Sequence, residues 1–307
     1  MVRQLFKKIW YGKVCCSLQK LFCRICKQLG LTIPIRYQHF FCIPGVFTVR
    51  LDGTTAFRMH NTGLAIERCL YWYGIKGYEP HTLSIFRSLM KQCDWMVDVG
   101  ANTGLFSLTA AAIKPGANIM AFEPMPFFYN QLCGNIQLND FKITPYELAV
   151  SDKEQVFDFY TPEQGQGNPY SSTLKKSHYD GHQKTEPLTI QVKATRLDGI
   201  LEMHHLKGQG LMKIDAEGND FEVLLGLGNR LETLNIYLIV ENRSEPMAEK
   251  MMNLPGMGQY RFLSIPDREG EYPEWISLPV NNDGLNILFV PRHHVEFVNR
   301  ILGEKFP

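Results

Sequence analysis

The chain has no apolar run of about 18 residues or more, so a membrane-spanning helix is not expected. Charges also interrupt the apolar core that a secretory leader would need near the start. Acidic residues are missing from residues 1–50, which instead hold Arg3, Lys7, Lys8, Lys13, Lys20, Arg24, Lys27, Arg36 and Arg50. The other 257 residues carry 23 basic and 31 acidic groups, a net of −8. That body lacks the basic surplus of a nucleic-acid binder, so nucleic acid is not an expected partner. Cysteine occurs eight times but in no disulfide framework: Cys15 and Cys16 are adjacent, and the others are scattered. A reducing, cytoplasmic setting follows. Cys23 and Cys26 form a C-x-x-C with no second pair at zinc spacing, which makes them small apolar filler rather than metal ligands.

The 307 residues are 45% hydrophobic and 21% charged, the composition of a folded globular chain, and the length allows one large α/β domain with appendages or two modest domains. At 100° per residue, Val14, Leu18, Leu21, Phe22, Ile25 and Leu29 fall within an arc of about 100°. Lys13, Lys20, Arg24 and Lys27 lie across from them, and Gly30 ends the pattern. This basic amphipathic helix, in segment 1–45, has three readings. Its apolar arc packs on the body, or it lies on an anionic surface such as the inner face of a membrane, or it meets a partner protein.

From residue 46 the pattern alternates short apolar runs with helical stretches, the signature of a parallel sheet. Residues 46–94 read as a cap carrying helices at 64–73 and 81–92, and residues 95–307 as the main domain. Buried strands are expected at Trp95–Val99, Ile119–Phe122, Tyr146–Val150, Ile190–Ala194, Leu211–Ile214 and Ile236–Val240, with helices between them. Residues 161–188, rich in Gly, Pro, Ser and Thr, read as one long loop, a length usually tied to function.

The chemistry collects at strand ends. In VDVGANTG, Val97 to Gly104, a strand turns into a helix whose first N–H groups are free for an electron-rich ligand. A dinucleotide fingerprint would place its second glycine where Asn102 stands, and its third glycine is also absent, which disfavours a pyrophosphate. S-adenosylmethionine has adenosine but no phosphate. Glu123, ending a strand in AFEP, can accept bonds from both ribose hydroxyls of an adenosine. Asp152, in ELAVSD, can accept the adenine amine or cap a turn. Asp215 and Glu217 in KIDAEG, with Glu241 after the next strand, would place three carboxylates over the ligand-binding edge. Asp215 is also placed to cap a helix.

Taken together, GYEP (Gly77 to Pro80), VDVGANTG, AFEP, LND (Leu138 to Asp140), AVSD, TRLD (Thr195 to Asp198) and KIDAEG resemble, in order and spacing, the FkbM-type family of S-adenosylmethionine-dependent methyltransferases. The resemblance covers about residues 50–290 and implies a doubly wound, Rossmann-like, seven-stranded methyltransferase sheet with helices on both faces. It also implies O-methylation of a sugar, glycan or secondary metabolite. Carried onto this chain, it puts Asp98, Gly100, Asn102 and Gly104 around the methionine portion, Glu123 at the ribose and Asp152 near the adenine. Glu79, Pro124 and Val150, within the same motifs, join the cofactor set. Asp215 and Glu217 would face the acceptor, while Ser171 and Ser172 in the long loop would cover it.

Methyl transfer from a sulfonium mainly requires alignment, and an alcohol acceptor also needs a base within hydrogen-bond reach. Asp215 is the expected base. A magnesium or manganese ion on Asp215, Glu217 and Glu241 is the alternative, and His60, His81 and His178 are further bases to weigh. Two rival functions remain in view: a non-catalytic adenosine-ligand-binding protein of the same fold, and a nicotinamide-dependent oxidoreductase.

Overall fold

In the computed structural model, placement is described for residues 21–31 in part, 45–162, 172–182, 186–242, 245–268, 270–278 and 285–306. The chain divides into two compact units, residues 1–80 and 81–307.

In the first unit, β1 (Gly45–Arg50) and β2 (Ala56–Asn61) form an antiparallel hairpin, followed by α1 (Ala65–Tyr73). The hairpin turn is held by Asp52, which accepts the backbone N–H groups of Thr54 and Thr55 at 2.9 and 2.7 Å. Residues 21–23, 25, 26 and 28 are helical. Cys23 and Cys26 are buried against Trp72, with Tyr71 and Tyr73 around them, which fits the filler role. The inward-packing reading of the apolar arc is corrected for the residues described. Leu21, Phe22, Ile25 and Leu29 are exposed, because the cysteine edge of the helix occupies the interior. Val14 and Leu18 lie outside the described residues.

The second unit is built on a sheet with eight strands among the described residues, in the order β12-β11-β13-β10-β9-β3-β4-β5. These are β3 (Trp95–Val99), β4 (Asn118–Phe122), β5 (Ile143–Tyr146), β9 (Gly210–Ile214), β10 (Ile236–Asn242), β11 (Tyr260–Ile265), β12 (Glu274–Ile276) and β13 (Leu285–Pro291). The run β10-β9-β3-β4-β5 is parallel, and β13, β11 and β12 continue it antiparallel. Seven strands were expected. The eighth is the three-residue edge strand β12, too short and too exposed to leave an apolar run. Every residue of β3 and β9 is buried, as central strands covered on both faces must be. On one face Val97, Val99, Met212 and Ile214 enter the main core. On the other, α3 (Leu105–Ile113), almost wholly apolar, covers the sheet.

The expected strand Tyr146–Val150 is two short ones. The chain leaves the main sheet after Tyr146, and β6 (Ala149–Val150) joins β7 (Gln155–Thr161) and β8 (Leu188–Thr195) in a three-stranded side sheet. A second small core of Ala149, Phe159, Val192 and Ala194 drives this departure. The expected loop 161–188 is also corrected in its described parts, since it contains the end of β7 and a helix, α5 (Lys176–His182). The remaining helices are α2 (Pro80–Met90), α4 (Pro126–Asn139), α6 (Leu197–Met203), α7 (Asp220–Leu225), α8 (Arg230–Thr233), α9 (Glu245–Met252) and α10 (Val295–Lys305). No helix among the described residues is long and apolar enough to cross a membrane.

Candidate active site

Parallel pairing lines up the exits of β3, β4 and β9 with Val240 near the end of β10. Val99 of β3 pairs with Phe122 of β4 and Ile214 of β9, and Ile214 pairs with Val240 of β10. The next residues, Gly100, Glu123, Asp215 and Glu241, therefore stand in one row along the carboxyl edge, where open α/β sheets bind ligands.

The Gly100–Gly104 turn is tied to that row from several sides. Gly100 and Ala101 donate their N–H groups to the Phe122 carbonyl at 3.0 and 2.9 Å, and Asp215 N–H donates to the Val99 carbonyl at 3.0 Å. Gly100 has φ +75°, and a Cβ there would overlap the Asp215 carbonyl oxygen, so only glycine fits between the two strand exits. Asn102, at φ 52°, donates its N–H to Glu123 Oε2 at 2.8 Å and accepts Thr103 N–H on its side-chain oxygen at 2.9 Å. Gly104, at φ 97°, opens α3. The Thr103 hydroxyl is buried with no hydrogen-bond partner among the described residues.

Glu123 is buried, and its other oxygen accepts Met125 N–H at 2.9 Å. Burial pushes its carboxyl up to about 7, against the pull of those two N–H donors, and the charges of Asp98 and Asp215 push the same way. Asp98 is buried as well and accepts both the backbone N–H (2.9 Å) and the hydroxyl of Ser107, which pins β3 to the first turn of α3. Burial raises Asp98 to about 6, with the Ser107 bonds and the Lys213 charge opposing it.

Lys213 belongs to no expected role, yet it supplies the only buried ammonium described at this edge. It pairs with Asp98 in register across β3 and β9, lies 3.5 Å from Asp215 Oδ2, and sits 5.4 Å over the Phe106 ring. A lysine inside an apolar strand, two residues before an acidic one, was the signal available in KIDAEG: both must face one side of the strand.

Beyond Asp215 the chain makes a tight turn. Glu217 adopts φ 49° and Gly218 φ 88°, and Asp220 holds the loop by accepting Ala216 N–H at 2.8 Å and Gly218 N–H at 3.1 Å. The segment 172–175 crosses it, with the Thr173 hydroxyl donating to the Glu217 carbonyl at 2.7 Å and Lys175 Nζ to the Gly218 carbonyl at 2.7 Å. Ser172 is buried, donates to Thr161 Oγ1 at 2.8 Å, and lies 3.8 Å from Met125 Sδ. The segment thus spans from the exit of β4 to the exit of β9. Ser171 lies outside the described residues.

Val150 and Asp152 are positioned by the TRLD segment. Asn219 Nδ2 donates to the Val150 carbonyl at 2.9 Å, and Ser151 N–H to the Thr195 carbonyl at 3.0 Å. Arg196, gripping Asp198 through Nε and Nη2, donates Nη1 to the Asp152 carbonyl at 2.7 Å. Pro124, half-buried, follows Glu123 directly. Glu79 lies in the first unit at φ 39°, and His60 is in β2 of that unit. The His81 ring is engaged with the Pro266 carbonyl and stacks on Tyr272, whereas the His178 side chain lies outside the described residues. Among the described residues no three acidic, histidine or cysteine side chains form a group able to hold a metal ion. The expected gathering of Asp215, Glu217 and Glu241 around magnesium or manganese is therefore not assembled. The left-handed turn at Glu217 and the β10–β13 pairing of Glu241 with Asn286 set these residues on separate pieces of backbone.

Residues 98–262 match the family model described as the methyltransferase FkbM domain, which is more than half of the chain. The chain belongs to that family. The FkbM span runs from the end of β3 to β11 and contains Asp98, Gly100, Asn102, Glu123, Asp152, Lys213, Asp215, Glu217 and Glu241; Glu79 lies outside it. Methyltransferase sdnD of Sordaria araneosa is 30% identical over 48% of this chain and 65% of its own length. Hexuronic acid methyltransferase AglP of Haloferax volcanii is 26% identical over 51% of this chain and 60% of its own. The 31-O-demethyl-FK506 methyltransferase FkbM of Streptomyces tacrolimicus is 26% identical over 44% and 59%. The chain thus spans less than two thirds of the length of these relatives. A solved S-adenosylmethionine-dependent methyltransferase of Agrobacterium tumefaciens aligns over 80% of this chain and 70% of its own at 11% identity, with a TM-score of 0.39.

Proposed function

We propose that this FkbM domain transfers a methyl group from S-adenosylmethionine to a hydroxyl of a sugar, glycan or secondary metabolite. The observation that carries the reading is the interlock of Glu123 with the Gly100–Gly104 turn, in one row with Asp215. A carboxylate already aligned by two backbone N–H groups keeps lone pairs for the ribose hydroxyls. Its charge makes such bonds worth about 1.5–3 kcal/mol. The residues fit the donor: the Thr103 hydroxyl awaits a partner, and Asn102 turns its side chain back onto its own loop. Asp152, fixed through its carbonyl by Arg196, is the group assigned to the adenine amine.

Bound there, S-adenosylmethionine supplies a methyl carbon activated by its sulfonium. The chain's own task is to align an acceptor and take its proton. Asp215 stands in the row and is partly open to solvent, with the buried Lys213 ammonium 3.5 Å from its Oδ2. In this reading Asp215 is the general base, and Glu217, Glu241 and Ser172 bound the acceptor side. Two relatives bear on the acceptor class: one is named for a hexuronic acid and another for an O-demethylated metabolite. The test is a panel of sugars, glycans and small alcohols incubated with methyl-labelled donor and scored by mass gain. Label entering a hydroxyl supports the reading. Label entering only nitrogen or carbon acceptors would refute the O-methyl assignment.

A further inference from the structure

The helical residues 21–23, 25, 26 and 28, with Leu29 and Leu31 after them, carry an apolar stripe that faces solvent. Leu21, Phe22, Ile25, Leu29 and, just beyond, Leu31 are each between 44% and 67% exposed. Positions 21, 25 and 29 follow one another at four-residue spacing with Phe22 beside them, so they form one continuous strip. The rotation of the helix is set from the other side, where Cys23 and Cys26 are buried against Trp72. With the cysteine edge turned in, the leucine edge must face out. Five large apolar side chains exposed within eleven residues form a patch of the kind that marks an interaction site.

We propose that this stripe seats on an anionic lipid surface. Charge selects that occupant. Residues 1–50 carry nine basic side chains and no acidic one, while the rest of the chain has a net charge of −8. A negatively charged bilayer therefore attracts this segment and repels the body, which orients the chain with the stripe toward the lipid. Apolar side chains enter the boundary between headgroups and acyl chains, and the basic surplus of residues 1–50 adds attraction to the anionic surface. A second copy of the chain is the poorer fit, because pairing two such stripes brings two uncompensated basic segments together. This inference does not depend on the methyl-transfer reading.

The test is co-sedimentation of the full chain with vesicles of phosphatidylcholine alone and of phosphatidylcholine mixed with phosphatidylglycerol. The wild type is expected to sediment with the mixed vesicles, weakly with the neutral ones, and less as salt is raised. An Ile25→Asp/Leu29→Asp variant is expected to lose about tenfold or more of its partitioning. Lys20→Glu/Arg24→Glu, which leaves the stripe intact, should lose a comparable amount. Val156→Asp, at an exposed apolar site in β7, should bind like the wild type. Circular dichroism of each variant checks that the fold is retained; if the aspartate variant unfolds, the charge-reversal variant decides alone. Absence of wild-type binding, equal binding to neutral and anionic vesicles, or unchanged binding by the charge-reversal variant overturns the proposal. So does concentration-dependent self-association that the aspartate substitutions abolish without any lipid binding.

Discussion

Lys213 Nζ lies 3.5 Å from Asp215 Oδ2, the lysine 1% exposed and the aspartate side chain 27% exposed. The pair faces the α3 side of the sheet, with the Asp98 carboxylate beside the lysine in register. A buried cation between an enclosed carboxylate and one that opens to solvent does two things. It compensates Asp98, and it orients the Asp215 carboxylate through Oδ2. Replacing it with Met keeps the length of the side chain but strands the charge of its neighbours. Lys213→Met is expected to destabilise the fold by about 3 kcal/mol, near the low end for a broken buried pair because Asp215 reaches water. Urea unfolding reads this loss directly. Lys213→Arg should restore it only in part, since the larger guanidinium must be housed where the lysine side chain is already 1% exposed.

Asp215→Asn retains shape and hydrogen bonding and removes the basic group. Single-turnover methyl transfer is expected to slow by about 10²–10⁴-fold, with donor affinity little changed. A variant that transfers at the wild-type rate would place the base elsewhere, with Glu241 the next residue in the row.

Glu123 gives the fold a pH dependence whose sign can be worked out. The unfolded chain releases this proton near 4.5 and the folded chain only near 7, so between those values the folded state holds more protons. Stability contributed by this group is therefore full below about 4.5 and declines as pH rises to about 7, by at most about 3 kcal/mol. Asp98 declines likewise, from 3.8 to about 6. Urea midpoints taken at pH about 5 and about 8 should fall more for the wild type than for Glu123→Gln, because the Asp98 contribution is common to both. Equal falls would mean that the Glu123 carboxyl titrates as an ordinary one. Donor binding should move oppositely to stability, weakening as pH drops below about 7.

Arg196 touches the proposed adenine subsite only through the Asp152 carbonyl, so it is a positioning residue. Arg196→Met is expected to raise the donor KM by about tenfold, the cost of one charge-assisted bond, with kcat little changed. A merely structural role would lower kcat and thermal stability without that split. Lys at this position should not rescue it, because one ammonium cannot grip Asp198 and the Asp152 carbonyl in the same fork.

The centre of the fold is readable because its physics is local. WMVDV and GLMKI are short, mostly apolar runs with one charged residue each, closed by a turn containing glycine or acidic residues, and both become fully buried parallel strands. What escapes the sequence depends on partners far along the chain. The side strand QVFDFYT is half exposed and has no clean period, whereas the alternation of its partner LTIQVKAT already marks a strand at Ile190–Ala194. Helix α5, KSHYDGH, is made of weak helix formers including a glycine, and propensity points away from it. The amphipathic arc at 21–29 is legible, but which edge faces inward depends on Trp72, more than forty residues on. At the site, Glu123 and Asp215 are readable from their strand-end positions. The roles of Ser107, Lys213 and Arg196 emerge only when β3, β9 and the TRLD segment are brought together.

The central claim is that the Glu123-buttressed turn is an adenosine site for S-adenosylmethionine. Titration calorimetry of S-adenosylmethionine into the wild type and Glu123→Ala tests it most directly. The wild type should bind S-adenosylmethionine in preference to NAD, and the variant should bind it about 10- to 150-fold more weakly, matching a lost contact of about 1.5–3 kcal/mol. Equal affinity in the two proteins, or a wild type that takes NAD more tightly, would contradict the account.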